Sequence, residues 1–137
     1  MGFDFTPKNK QAGDFQMGAF SWPWLLDAGV GLIVHIGPGP RVSQFIYKER
    51  QGSCIRHNDG VSVTAKEAKL MAIIAARVAD YQDMLREQFE TLTEDEKRDA
   101  NTPKWRYLYV HPVREDFVKK AREFAKWAAE SGGFRVD

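Results

Sequence analysis

Cys54 and His57 are the residues whose types and spacing most directly invite chemistry. Cys-x-x-His is a metal-ligand interval, and His35 and His111 could complete a set of four. Structural zinc sites, however, usually join two ligands close in sequence to another close two. Here the remaining histidines are isolated, one in an apolar run and one before Pro112. No metal is expected, and no cofactor. The same atoms could instead form a nucleophile and its base, Cys54 with His57 or with His35. Such a thiolate needs an accessible, electropositive pocket, and Arg50 and Arg56 could supply the field. If Ser53–His57 is a strand, Cys54 shares a face with Arg56 and points away from His57. A free cysteine beside Ile55 also reads as a small buried hydrophobe. These residues define no catalytic constellation. They leave His35, Cys54 and His57 as pocket candidates should the protein be a small enzyme or ligand-binding protein.

The second suggestive stretch is Lys104–Arg114, KWRYLYVHPVR. Interleaved rings and cations form stacking platforms for single-stranded nucleic acid. They are equally the residues of protein-interface hot spots, where Trp, Tyr and Arg are enriched. They also suit a plain strand that covers a helix from inside, leaving only Lys104 and Arg106 wet. As an interface the stretch offers Trp105, Arg106, Tyr107, Tyr109 and Arg114. Gly29–Gly31 and Gly37–Pro40 resemble phosphate loops only superficially, because Pro38 and Pro40 have no N–H to offer and no helix follows. The carboxylates between Glu87 and Asp99 alternate with Lys97 and Arg98, the pattern of a solvated face.

Composition narrows the classes. The 137 residues are 43% hydrophobic and 28% charged with a formal net charge of +1, which suits one soluble domain (1–137) and offers no large footprint for nucleic acid or anionic membrane. The charge is uneven: residues 61–102 hold six Lys/Arg against nine Asp/Glu, whereas 103–137 hold eight against five. A single cysteine excludes an internal disulfide and fits a reducing compartment. The N-terminus shows no basic and apolar leader, and no apolar run is long enough to span a bilayer, so a cytoplasmic protein without membrane contact is expected.

The element that must position everything else is Val63–Leu92. Thr64-x-x-Glu67 is a capping box, and Met71, Ala75, Val78, Leu85, Phe89 and Leu92 recur at helical steps. Leu70, Ile73, Ile74, Ala76 and Ala79 widen that face, which predicts a helix enclosed on nearly all sides over its first half. Thr93 with Glu96 opens a second, short helix. Before the long helix, residues 1–19 read as an irregular arm pinned by Phe3, Phe5, Phe15 and Met17. Ser21 reads as the N-cap of a helix stopped at Gly29, and Gly31–Ile36, Val42–Lys48 and Ser53–His57 as successive strands, with Val61 and Val63 at an edge. Lys104–Val110 alternates like a strand. After Pro112 a helix buries Val113, Phe117, Ala121, Phe124 and Ala128 and ends at Ser131–Phe134. The fold class is therefore α+β: a small antiparallel sheet of three to four strands against a long central helix and a C-terminal helix.

The functional expectation is non-enzymatic, a small intracellular protein-binding or regulatory module with a protein partner rather than a nucleic acid. Accessory and inhibitor proteins of mobile-element type are one population of such domains, although no residue points to them specifically. A small enzyme or ligand-binding protein is the alternative, and a single-stranded nucleic-acid binder using 104–114 the third.

Overall fold

The computed structural model describes residues 2–38, 45–50, 52–100 and 115–137. In chain order its elements are β1 (Gly2–Pro7), β2 (Phe15–Gly18), α1 (Ser21–Ala28), β3 (His35–Pro38), β4 (Phe45–Tyr47), β5 (Val61–Val63), α2 (Ala65–Glu90), α3 (Glu94–Ala100), α4 (Glu115–Glu130) and β6 (Phe134–Val136). Among the described residues the strands form a four-stranded antiparallel sheet, in the order β2-β1-β6-β5, and a separate antiparallel pair of β3 and β4. The α+β class holds, with α2 and α4 packed along one another.

Residues 2–18 are not the irregular arm that their Gly, Pro and Asn content suggests. In β1, Phe3, Phe5 and Pro7 point inward while Asp4 and Thr6 face solvent, the two-residue period of a half-buried strand. Phe3 lies opposite Met17 and Phe5 opposite Phe15, and on the wet face Gln16 Nε2 donates to Asp4 Oδ1 at 2.8 Å. The other end of the chain supplies the neighbouring strand. Phe134 and Val136 of β6 are fully buried, and β6 runs between β1 and β5. Phe134 thus enters the sheet and at the same time packs back on the last turns of α4, its ring 5.2 Å from that of Trp127 and 6.0 Å from that of Phe124. The turn into it depends on Gly132 and Gly133, both at positive φ, and a Cβ on Gly133 would stand 2.7 Å from Val63 O.

The core lies between the sheet and the helices. Phe5 meets Trp22 of α1 at 4.7 Å between ring centroids, Phe134 at 5.4 Å, and Phe124 and Trp127 of α4 at 6.0 and 5.9 Å. The two indoles keep their N–H groups satisfied, Trp22 donating to Ile55 O and Trp127 to Gly13 O. On α4 Phe117, Ala121, Phe124 and Ala128 face inward as the spacing predicts, joined by Val118 and Trp127, which it does not single out. Lys104–Val110, His111 and Val113 lie outside the described residues.

Three local expectations change. Ser21 is the first residue of α1 and caps nothing with its side chain, so Phe20 takes the cap position. Val30–Val34 is a 3-10 helix and the strand begins only at His35; Tyr47 packs over Gly31 so closely that a Cβ there would strike its ring. Ser53–His57 is a turn, tied to Arg50 by one antiparallel bridge, with His57 N donating to Cys54 O. Val61 and Val63 do form an edge strand.

The helix α2 starts as its capping box dictates: Glu67 N donates to Thr64 Oγ1, and Thr64 N to Glu67 Oε1 at 3.0 Å. Thr93 and Glu96 repeat the device before α3. Arg50 adds a two-pronged ion pair to Glu67 and a bond to Ser62 O, fastening the chain before β5 to the first turn of α2. The enclosure predicted for the first half of α2 is not found. Met71, Ala72, Ala75, Val78 and Ala79 are buried, but Leu70 is 39% exposed, Ile73 54%, and Ile74 half-buried. The helix is covered by α4, by the Val30–Val34 turn and by α1, and its outward side has no layer among the described residues.

The Arg50 hydrogen bonds and the Thr64 amide hold the Glu67 carboxyl near pKa 2 against an ordinary 4.5. Because the folded value is depressed, this stabilisation is complete above about pH 4.5 and is lost as pH falls towards 2. Glu67→Gln should cost about 1 kcal/mol at pH 7 after allowing for solvent screening of a partly exposed pair, and clearly less at pH 2.5. Urea titrations at the two pH values measure both; an equal loss at each would contradict the charge-based account.

Candidate functional site

The turn 53–59 holds most of the chemistry that the described residues bring together. Its floor is α1. Trp22 fixes the turn by donating to Ile55 O at 2.9 Å, and Asp27 fixes it through Arg56, whose Nη1 donates to both carboxylate oxygens at 2.7 Å. The Asp27 side chain is 5% exposed and the Arg56 side chain 29%, so the pair is shielded on the acid side and open on the cation side. Tyr47, on β4, donates to Asp27 Oδ1 at 2.8 Å. Burial, followed by that bond to an anion, raises the Tyr47 phenol far above its ordinary range, so it remains a proton donor throughout. Ser53 Oγ donates to Asp59 Oδ2 at 3.0 Å and closes the turn.

This geometry reverses the strand argument about Cys54 and His57. On a strand they would diverge, but in the turn Cys54 Sγ lies 3.8 Å from His57 Nδ1, within hydrogen-bond reach for sulfur. His57 is exposed and Cys54 half-buried against the core. A shallow depression runs beside them between Arg56–Asp59 and Gly2, Phe3 and Ala19; Cys54 is not in its wall. His35 is engaged locally, its Nδ1 2.7 Å from Leu32 O, and pairs in register with Tyr47. Among the described residues no three His, Cys, Asp or Glu side chains gather as a metal would need. Trp105, Arg106, Tyr107, Tyr109 and Arg114 lie outside the described residues.

The surface that sequence reasoning missed is the outer side of α2. Leu70, Ile73, Arg77, Tyr81 and Met84 follow one another at steps of three or four, and all are exposed. They line the side opposite Met71, Ala75, Val78 and Gln82. Tyr81 is 45% and Met84 50% exposed. The available signal was Arg77, a cation between Ile73 and Tyr81 that an enclosed helix would not carry unpaired. Elsewhere Ile36 and Ile46 are exposed on the β3–β4 pair, and Phe20 stands out beside a groove lined by Trp24, Phe117 and Lys120. No helix of the described residues is long and apolar enough to cross a membrane. No family model, curated protein or solved structure matches the chain.

The Asp27 cluster makes an ordered forecast. Arg56→Met leaves a shielded carboxylate with only Tyr47 and should cost about 3 kcal/mol, whereas Tyr47→Phe keeps the ion pair and should cost about 1–2 kcal/mol. Chemical denaturation of the two variants checks the order. The reverse order would mean that the phenol's hydrogen bond, not the guanidinium's charge, is the larger stabilisation of Asp27.

Proposed function

We propose that this chain is a small protein-binding or regulatory module that docks a protein through the outer side of α2. The observation that supports it is the exposed run Leu70, Ile73, Tyr81 and Met84 on one side of a helix whose other side is core. Scattered apolar residues on a surface mean little, but apolar residues aligned at helical steps on either side of Arg77 have the spacing that helix-mediated recognition uses. The aromatic and cationic residues of 104–114 supply interface-type composition in the same chain. The near-neutral net charge disfavours a nucleic-acid partner. A photo-crosslinking amino acid at Ile73 should give a covalent protein adduct in cells, reduced severalfold by Met84→Asp, and the same probe at Lys126 on α4 should give none. A free chain with no adduct at Ile73 would exclude this surface.

A second reading, a small enzyme or ligand-binding protein, draws on the Cys54–His57 contact. An activated thiol should react with iodoacetamide at neutral pH about tenfold faster than free cysteine and slow down in His57→Gln. Ordinary reactivity in both proteins would leave the pair structural.

A further inference from the structure

Resting on the reading of α2 as a docking surface, we infer that its occupant is a second copy of this chain, with the two α2 helices antiparallel about a two-fold axis at the level of Val78. The charge pattern leads to this partner. Lys69 and Glu87 are both exposed, and neither has a side-chain partner among the described residues. They stand eighteen residues apart, about five whole turns at 3.6 residues per turn, so they occupy the same flank of the apolar stripe. Val78 is midway between them. In an antiparallel two-fold pair like flanks meet, so a pairing centred there sets Lys69 of each copy against Glu87 of the other, twice.

The same centre aligns the rest of the stripe. Ile73 comes opposite Met84 of the other copy within about one 1.5 Å residue step, and Leu70 and Tyr81 fall within about a turn of those contacts. Arg77, which likewise has no partner among the described residues, comes level with Asp80 of the second copy within about one residue step and with the second copy's Arg77 within about two, so the Asp80 carboxylates stand between the two guanidinium groups in charge. Asp80 is bound to Arg122 through Oδ1, yet its side chain remains 70% exposed. A parallel two-fold pairing would instead put the Lys69–Glu87 flanks of the two copies on opposite sides of the seam, so these charges would not meet, and would align the helix dipoles. Opposite charges placed at equal distances either side of Val78 on one flank are complementary to a second copy turned about a two-fold axis there. One helix side on each copy is smaller than a standard interface, so affinity in the micromolar range is expected.

The test is sedimentation velocity on the full chain from about 1 to 300 μM, a range that brackets such an affinity. The expected result is a concentration-dependent shift from 15.7 kDa towards twice that mass. Ile73→Asp should hold the chain at monomer mass with unchanged far-ultraviolet circular dichroism. Lys69→Glu and Glu87→Lys should each weaken the dimer by about tenfold or more, and the double variant should recover most of the loss because the pair is restored with its signs exchanged. A chain that stays monomeric throughout, or a double variant weaker than both singles, overturns the second copy as occupant. The crosslink at Ile73 then separates the two ideas. A monomeric chain whose adduct carries a different polypeptide leaves the docking surface standing and removes the dimer. A monomeric chain with no adduct removes both.

Discussion

Phe5 has no solvent exposure, and the rings around it come from both ends of the chain: Trp22 of α1, Phe124 and Trp127 of α4, and Phe134 of β6. Edge-on and stacked pairs of this kind add about 0.5–1.5 kcal/mol each beyond the area they bury. The consequence for topology is larger. β1 can cover its inner face only when α4 and β6 have arrived, so the sheet closes late in the chain and depends on contacts across more than a hundred residues. Asp4 and Asp137 exchange both backbone hydrogen bonds, which fixes that closure at the chain's end. The glycines before β6 follow from the same constraint, since the chain must reverse from α4 into the sheet against Val63.

α2 is held at one edge of this arrangement. Its inner residues Met71, Ala75 and Val78 complete the core, and small residues at 72, 75 and 79 let neighbouring elements approach closely. Arg122 of α4 bridges Asp80 and Asp83, which sets how far α4 wraps around it. Once those neighbours are placed, the remaining side of α2 faces outward. A helix in that position would normally present Lys, Glu and Gln there. Leaving Leu70, Ile73, Tyr81 and Met84 half in water forgoes roughly 25 cal/mol for each Å² of apolar surface left uncovered. Folding of one chain gains nothing from that choice, and the docking proposal rests on it.

How much of this was legible in the sequence depends on the range of the interaction. Both capping boxes were, because Thr64–Glu67 and Thr93–Glu96 act within one turn. Phe117, Ala121, Phe124 and Ala128 on the inner face of α4 were legible for the same reason, as was the α+β class. β1 escaped because its alternation is only six residues long and lies among glycines, prolines and asparagine, whose composition reads as a loop. β6 escaped because three residues after a helix carry no period at all, and their strand character comes wholly from pairing with β1 and β5. The enclosure of α2 was misjudged because periodicity tells which residues share a face but not how many faces have neighbours. Cys54 and His57 diverge only if Ser53–His57 is a strand; it is a turn, and its Ile55 carbonyl accepts from Trp22, a partner distant in sequence.

The turn and the helix surface are mechanically joined, and the joint is a single arginine. Arg50 pairs with Ser53 through the backbone at the entry to the turn, while its guanidinium grips Glu67 and the Ser62 carbonyl. Glu67 is also half of the capping box that starts α2, so one carboxylate serves the turn, the edge strand and the helix N-terminus together. On the opposite side, Asp27 anchors the turn to α1 through Arg56. The turn 53–59 is therefore held from two sides by carboxylates on two helices. Two charge pairs thus tie the segment that carries Cys54 and His57 to α1 and to the first turn of α2.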